Sequence, residues 1–120
     1  MTKDLTRVAL VTGAGRGIGR AIAVSLAKHG IFVYVAYLAN KAAALNTLKE
    51  ISEFGNGRLL QFDVTSPEAS QAAVKSILAE KEKIDILINN AGIREDRLLA
   101  MMKEEAYING QVIGINGGMI

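Results

Sequence analysis

Four consecutive apolar residues, Val8-Ala9-Leu10-Val11, run directly into the glycine-rich segment Thr12-Gly13-Ala14-Gly15-Arg16-Gly17-Ile18-Gly19. A short run without polar alternation suits a strand buried on both faces, as in a parallel sheet covered by helices. Beyond it, Ile18, Ala21, Ile22, Ser25 and Leu26 recur at helical spacing, and Gly30 supplies a left-handed stop. Strand, glycine turn and helix in that order gather backbone N–H groups and the positive end of a helix dipole around one point, with no Cβ in the way. The result is a cradle for an anion such as a phosphate.

The alternation continues downstream. Residues 31–35 read as a second strand, and residues 41–54 as a helix with Leu45, Leu48, Ile51 and Phe54 along one stripe. Gly55-Asn56-Gly57 ends it, and residues 59–62 form a third strand. Ser66-Pro67 opens the next helix with a hydroxyl cap and a proline whose missing N–H costs nothing there; Val74, Ile77 and Leu78 are its inner face. Residues 84–88 make a fourth strand that stops at Asn89-Asn90-Ala91-Gly92. The chain is therefore expected to be one α/β domain over residues 1–120, with a Rossmann-like doubly wound parallel sheet of strand order 3-2-1-4. Polar and small residues at the carboxyl end of its fourth strand stand where such sheets bind ligands. Residues 94–105 read as a short helix and residues 111–115 as one further, C-terminal strand.

Composition narrows the function. With no cysteine there is no disulfide framework, thiol nucleophile or cysteine-ligated metal, and one histidine leaves no multi-histidine metal site. No stretch supplies a signal-peptide core or the roughly 20 apolar residues of a membrane span. A cytoplasmic protein is the expectation. A net charge of only +2, three tyrosines, three phenylalanines, no tryptophan and no cationic cluster argue against a nucleic-acid partner.

The glycine spacing is G-x-x-x-G-x-G rather than the G-x-G-x-x-G dinucleotide fingerprint, since a fingerprint begun at Gly13 ends on Ile18 and one begun at Gly15 ends on Arg20. Taken alone it is also compatible with a tight strand-to-helix turn, and the βαβ setting is what favours a cofactor. An acid about 20 residues past such glycines normally holds a ribose 2′-hydroxyl. Here Tyr37-Leu38-Ala39 has none, while Arg16 and Lys41 supply cations for a 2′-phosphate. NADP(H) is therefore expected over NAD(H), although either cation is also explained as a solvated surface charge, and for Lys41 alone that is the better explanation.

Thr12-Gly13-Ala14-Gly15-Arg16-Gly17-Ile18-Gly19, Asp63-Val64 after the third strand and Asn89-Asn90-Ala91-Gly92 after the fourth together resemble the short-chain dehydrogenase/reductase family. Residues 92–99 with 102–105 are similar to its 3-oxoacyl-acyl-carrier-protein reductase branch, which reduces β-ketoacyl thioesters with NADPH in fatty acid biosynthesis. The likeness covers residues 5–105, and residues 106–120 then resemble that branch's extreme C-terminus. By this resemblance the cofactor would be held by Gly13, Ala14, Gly15, Arg16, Gly17, Ile18, Gly19, Asp63, Val64, Asn90, Ala91 and Gly92, with Asp63 near adenine. Asp63 and the asparagines are also common turn formers.

The family's proton-transfer groups, a serine, a Tyr-x-x-x-Lys pair and an assisting asparagine, lie in a middle section with no matching positions here. Ketone reduction needs an acid to protonate the developing alkoxide and a lysine to lower that acid's pKa. Tyr37-Leu38-Ala39-Asn40-Lys41 spells the pair but follows the second strand, at the expected adenosine end; Tyr107 is followed by Gln111 where lysine is needed. The expectation is a truncated domain with no catalytic residue of its own and no metal. Two alternatives stand beside it: a weak or subunit-assisted ketoacyl reductase, and a structural module with a vestigial loop. A sheet lacking its family neighbours would expose an edge, so either residues 111–115 are expected to pair beside strand four or two chains to bury these surfaces against each other, as by exchange of the tail; a homodimer is the expectation in both cases.

Overall fold

The apolar run at residues 8–11 does become a strand covered on both faces. In the computed structural model, which describes residues 5–15, 17–90 and 108–114, the order is β1 (Val8–Val11), α1 (Gly17–Lys28), β2 (Phe32–Tyr37), α2 (Lys41–Ser52), β3 (Gly57–Gln61), α3 (Pro67–Lys81), β4 (Ile84–Asn89) and β5 (Ile108–Gly114). The strands form one sheet in the order β3-β2-β1-β4-β5. Every pairing is parallel. The expected 3-2-1-4 order with a C-terminal strand is what the chain adopts. β5 begins earlier than residues 111–115 suggested, and its pairing with β4 contains a bulge, Ile84 facing Ile108 but Ile86 facing Gln111. The helix expected over residues 94–105 lies outside the described residues.

Successive side chains of β1 feed opposite faces. Val8 and Leu10 join Tyr34, Ala36, Phe62, Ala73, Val74, Ile77, Ile84 and Leu87 beneath α3. Val11 joins Ala14, Ala23, Val24, Ala27, Val33, Val35, Ala44, Ile51 and Ile88 beneath α1 and α2. Returning from β3 past β2 and β1 to β4 carries α3 to the second face, which makes the sheet doubly wound.

Two helix faces differ from their expected stripes. On α1 the buried residues are Gly19, Ala23, Val24 and Ala27, whereas Ile18 is 53% exposed and Ala21 and Ser25 are exposed. On α2 they are Ala44, Thr47 and Ile51, while Leu45 is 46% exposed; the helix ends at Ser52 and not at residue 54, and Phe54 beyond it is 50% exposed. The cause is shared: close approach of helix to sheet and of helix to loop selects small side chains, so the larger apolar residues turn to the rim. Helix α3 follows its expected face at Val74 and Ile77, with Leu78 partly buried against them. Its Ser66 cap accepts from Ala69 N at 3.2 Å, with Pro67 opening the helix. Asn40 caps α2 in the same way, accepting from Ala43 N at 3.0 Å. At the far end of the sheet, Asp85 Oδ2 accepts the backbone N–H of Val8 at 2.7 Å and so fixes where β1 starts.

Candidate cofactor site

β1 and β4 are neighbours in the sheet although far apart in sequence, and α1, which follows β1, and α3, which precedes β4, pack on opposite faces. Their carboxyl ends flank the switch point where open α/β sheets bind ligands. Thr12 extends the ladder past β1, its N–H donating to Ile88 O at 2.9 Å. Its buried hydroxyl accepts from Asn90 N at 3.0 Å. The Asn90 side chain then donates from Nδ2 to Gly13 O at 3.1 Å. Asn89 is buried too, 1% exposed, with Oδ1 3.4 Å from the Thr12 hydroxyl.

That closure leaves no room for a Cβ at Gly13 or Gly19. Gly13 has φ +62°, and a Cβ there would lie 2.9 Å from Asn90 O; a Cβ on Gly19 would come within 2.2 Å of Gly13 O and 2.5 Å of Asn90 Nδ2. Gly17 also has φ +62°, but its Cβ position is open, with nothing within 4 Å. The first helical turn of α1 thus presents a bare backbone to an open space, as a phosphate at a helix N-terminus requires. Ala14 anchors the loop from behind: its N–H approaches Ala36 O at 3.4 Å and its carbonyl oxygen accepts from Thr47 Oγ1 at 2.9 Å.

Beside the loop lies a cavity of about 290 Å³ lined by Thr12, Gly13, Ala36, Tyr37, Leu38, Phe62, Asp63, Val64 and Thr65. Its volume is at the lower end of small-molecule sites, enough for a nucleoside-sized group, and most of its wall is apolar. Asp63 Oδ1 accepts from Thr65 N at 2.9 Å and Thr65 Oγ1 at 2.7 Å. These bonds stabilise the carboxylate and hold its pKa below the usual value. Gln61 Nε2 donates to Leu38 O at 3.0 Å and steadies the turn after β2. No acid stands in that turn before Asn40 caps α2.

Of the residues singled out from sequence, Gly13, Ala14, Gly15, Gly17, Ile18, Gly19 and Asn90 come together around the loop, and Asp63 with Val64 forms the cavity wall. Arg16, Ala91 and Gly92 lie outside the described residues. Lys41 opens α2 at an exposed position. Arg20 is engaged elsewhere, its guanidinium bonding Glu50 Oε2 at 2.9 and 3.0 Å. Tyr37 ends β2, and since β1 separates β2 from β4 it stands roughly 10 Å across the sheet from β4. Sequence reasoning missed Thr47 and Gln61. A polar residue three after Ala44 and four before Ile51 was the available sign for Thr47, once α2's buried face is known.

The family model described as short chain dehydrogenase matches residues 7–117. The chain belongs to the short-chain dehydrogenase family. Within that family it is 44% identical over 103 residues to the 3-oxoacyl-acyl-carrier-protein reductase FabG of Escherichia coli, covering 84% of this chain and 40% of the relative. It is 40% identical over 104 residues to the Staphylococcus aureus protein of the same name, covering 86% and 42%. The chain therefore spans about two fifths of the length of those relatives. Among solved structures, acetoin dehydrogenase YohF from Salmonella typhimurium superposes with TM-score 0.66 at 31% identity, over 73% of this chain and 37% of that one. The reductase LugOII, which carries out a keto-reduction in lugdunomycin biosynthesis, superposes with TM-score 0.74 at 27% identity, over 92% and 59%. Among the described residues no helix is long and apolar enough to cross a membrane, and no group of histidine or carboxylate side chains is placed to hold a metal ion.

Proposed function

We propose that this chain binds NADP(H) at the carboxyl ends of β1, β2 and β4 and does not by itself carry the proton-transfer half of a carbonyl reduction. The observation that supports binding most directly is the glycine loop closed on Asn90, with an open backbone at Gly17 and a nucleoside-sized cavity alongside. In this reading the loop and the start of α1 hold the pyrophosphate, and the apolar wall from Ala36 to Leu38 takes the adenosine. Asp63 faces the adenine. The acid-free turn after β2 admits a 2′-phosphate, for which Arg16 and Lys41 would supply countercharges, and Ala91 and Gly92 are the residues that the resemblance assigns to the cofactor beyond Asn90. A bound nicotinamide would supply or accept hydride; the residues described here bind and orient it.

The non-catalytic half of the proposal rests on the single Tyr-x-x-x-Lys of the chain, Tyr37 to Lys41, which belongs to the adenosine end. A second reading is favoured by the identity to 3-oxoacyl-acyl-carrier-protein reductases: β-ketoacyl thioester reduction completed by groups of another subunit. The outer edge of β5 is unpaired among the described residues, and a homodimer would cover it.

Calorimetric titration with NADP and NAD at low ionic strength tests the binding reading, saturable heat with a preference for NADP being the expected result. No saturation with either dinucleotide would overturn it in favour of a structural module. NADPH oxidation in the presence of an acetoacetyl thioester separates the two catalytic readings, and sedimentation at micromolar concentration tests the dimer.

A further inference from the structure

Thr47 is a hydroxyl on the buried face of α2, 0% exposed, with three carbonyl oxygens around it. Ala14 O is nearest at 2.9 Å; Gly15 O and Ala43 O are both at 3.3 Å. A threonine hydroxyl has one proton, and the shortest contact takes it. Ala14 is itself fully buried, so its carbonyl oxygen needs that donor. In a planar trans peptide the C=O and the following N–H point in opposite directions. Pinning the Ala14 carbonyl toward α2 therefore turns the Gly15 N–H away from α2. Gly15 lies beside the start of α2, where a Cβ added to it would sit 3.4 Å from the Ala43 Cβ.

We propose that Thr47 is a positioning residue for phosphate binding: its hydroxyl latches the Ala14–Gly15 peptide and presets the amide array of the glycine loop. The inference rests on the cofactor reading above and adds to it a residue of α2 that touches no cofactor. Preorganised donors bind an anion without spending binding energy on ordering the loop, so releasing the latch weakens binding even when the fold survives. It also ties the buried face of α2 to the loop that would hold the pyrophosphate.

The test compares wild type with Thr47→Val, which keeps the shape and removes the donor, and Thr47→Ser, which restores it. Calorimetry with NADP is run well below each melting temperature, together with NMR relaxation of the Gly15 amide in the cofactor-free chain. The expected result is about tenfold weaker binding for Thr47→Val, the size of one ordinary hydrogen bond, with Thr47→Ser within about twofold of wild type. The Gly15 order parameter is expected to fall from about 0.85 to below about 0.6 in Thr47→Val and to recover in Thr47→Ser. Unchanged affinity in Thr47→Val, or a Thr47→Ser variant as weak as Thr47→Val, overturns the proposal. If wild type binds no NADP, the cofactor reading fails, and the relaxation data alone decide the latch: an unchanged Gly15 order parameter overturns it. Should Thr47→Val not fold, Thr47→Ala takes its place under the same criteria.

Discussion

Asn90 Nδ2 donates to Gly13 O at 3.1 Å, joining residues 77 positions apart in the chain. Together with the Asn90 N–H on Thr12 Oγ1 it makes the end of β4 part of the glycine loop's own hydrogen bonding. The side-chain oxygen, Asn90 Oδ1, is buried with no partner among the described residues. Asn90→Ala strands the Gly13 carbonyl and is expected to cost about 1–3 kcal/mol in urea denaturation. A loss within experimental error would show that the loop holds its shape without β4.

The two glycines at the start of α1 are expected to respond very differently to a methyl group. At Gly19 a Cβ meets backbone at 2.2 Å, and backbone has nowhere to go. Gly19→Ala should lose more than about 2 kcal/mol of stability and abolish dinucleotide binding. At Gly17 the space is open and only the left-handed φ of +62° is penalised, at about 1–2 kcal/mol. Equal losses for the two variants would contradict the packing described here.

Asp63 has its pKa lowered by the Thr65 hydroxyl and backbone N–H. A depressed folded-state value stabilises above the ordinary pKa of 3.8, and the contribution is lost as pH falls through the folded value. Thr65→Val removes the stronger of the two bonds. NMR titration of the Asp63 carboxyl should then show its midpoint move up toward 3.8, and an unmoved midpoint would mean that Thr65 is not the cause.

Tyr34 reports on the opposite end of the pH scale. Burial, then its hydrogen bond to Glu80 and that carboxylate's charge, push the phenol well above its ordinary value of 10.0. The stabilisation is complete below pH 10 and declines as pH rises toward the folded-state value, because only the unfolded chain releases the proton in that window. Tyr34→Phe is expected to flatten the fall of stability above pH 10 while losing the Glu80 contact. A slope unchanged from wild type would assign the alkaline sensitivity elsewhere.

The sheet was legible because its strands are short apolar runs punctuated by glycine, serine–proline and asparagine, and each such signal has a local cause. Ser66-Pro67 is an example, since cap and proline act within one turn. What local pattern could not show is which side of a helix meets its neighbour. Leu45 has the hydrophobicity of a core residue, yet α2 approaches the glycine loop so closely that Ala44 and Thr47 occupy the interface and Leu45 is left outside. The end of β2 has the same origin: the apolar β-rich run ends at residue 35, but Ala36 and Tyr37 find ladder partners in Leu60 and Gln61. In the candidate site, the glycines and asparagines carried a recognisable spacing. Thr47 and Gln61 act through carbonyl groups of residues distant in sequence, and no spacing announces that.

The pairing of β1 with β4 also sets an order of events during synthesis. β1, α1, β2, α2 and β3 contact one another through neighbouring segments and can assemble as soon as about the first half of the chain is available. The glycine loop cannot: its carbonyl at Gly13 waits for residue 90. If the proposed dinucleotide site is real, the protection its ligand gives against proteolysis or aggregation is expected to begin only once β4 has joined the sheet.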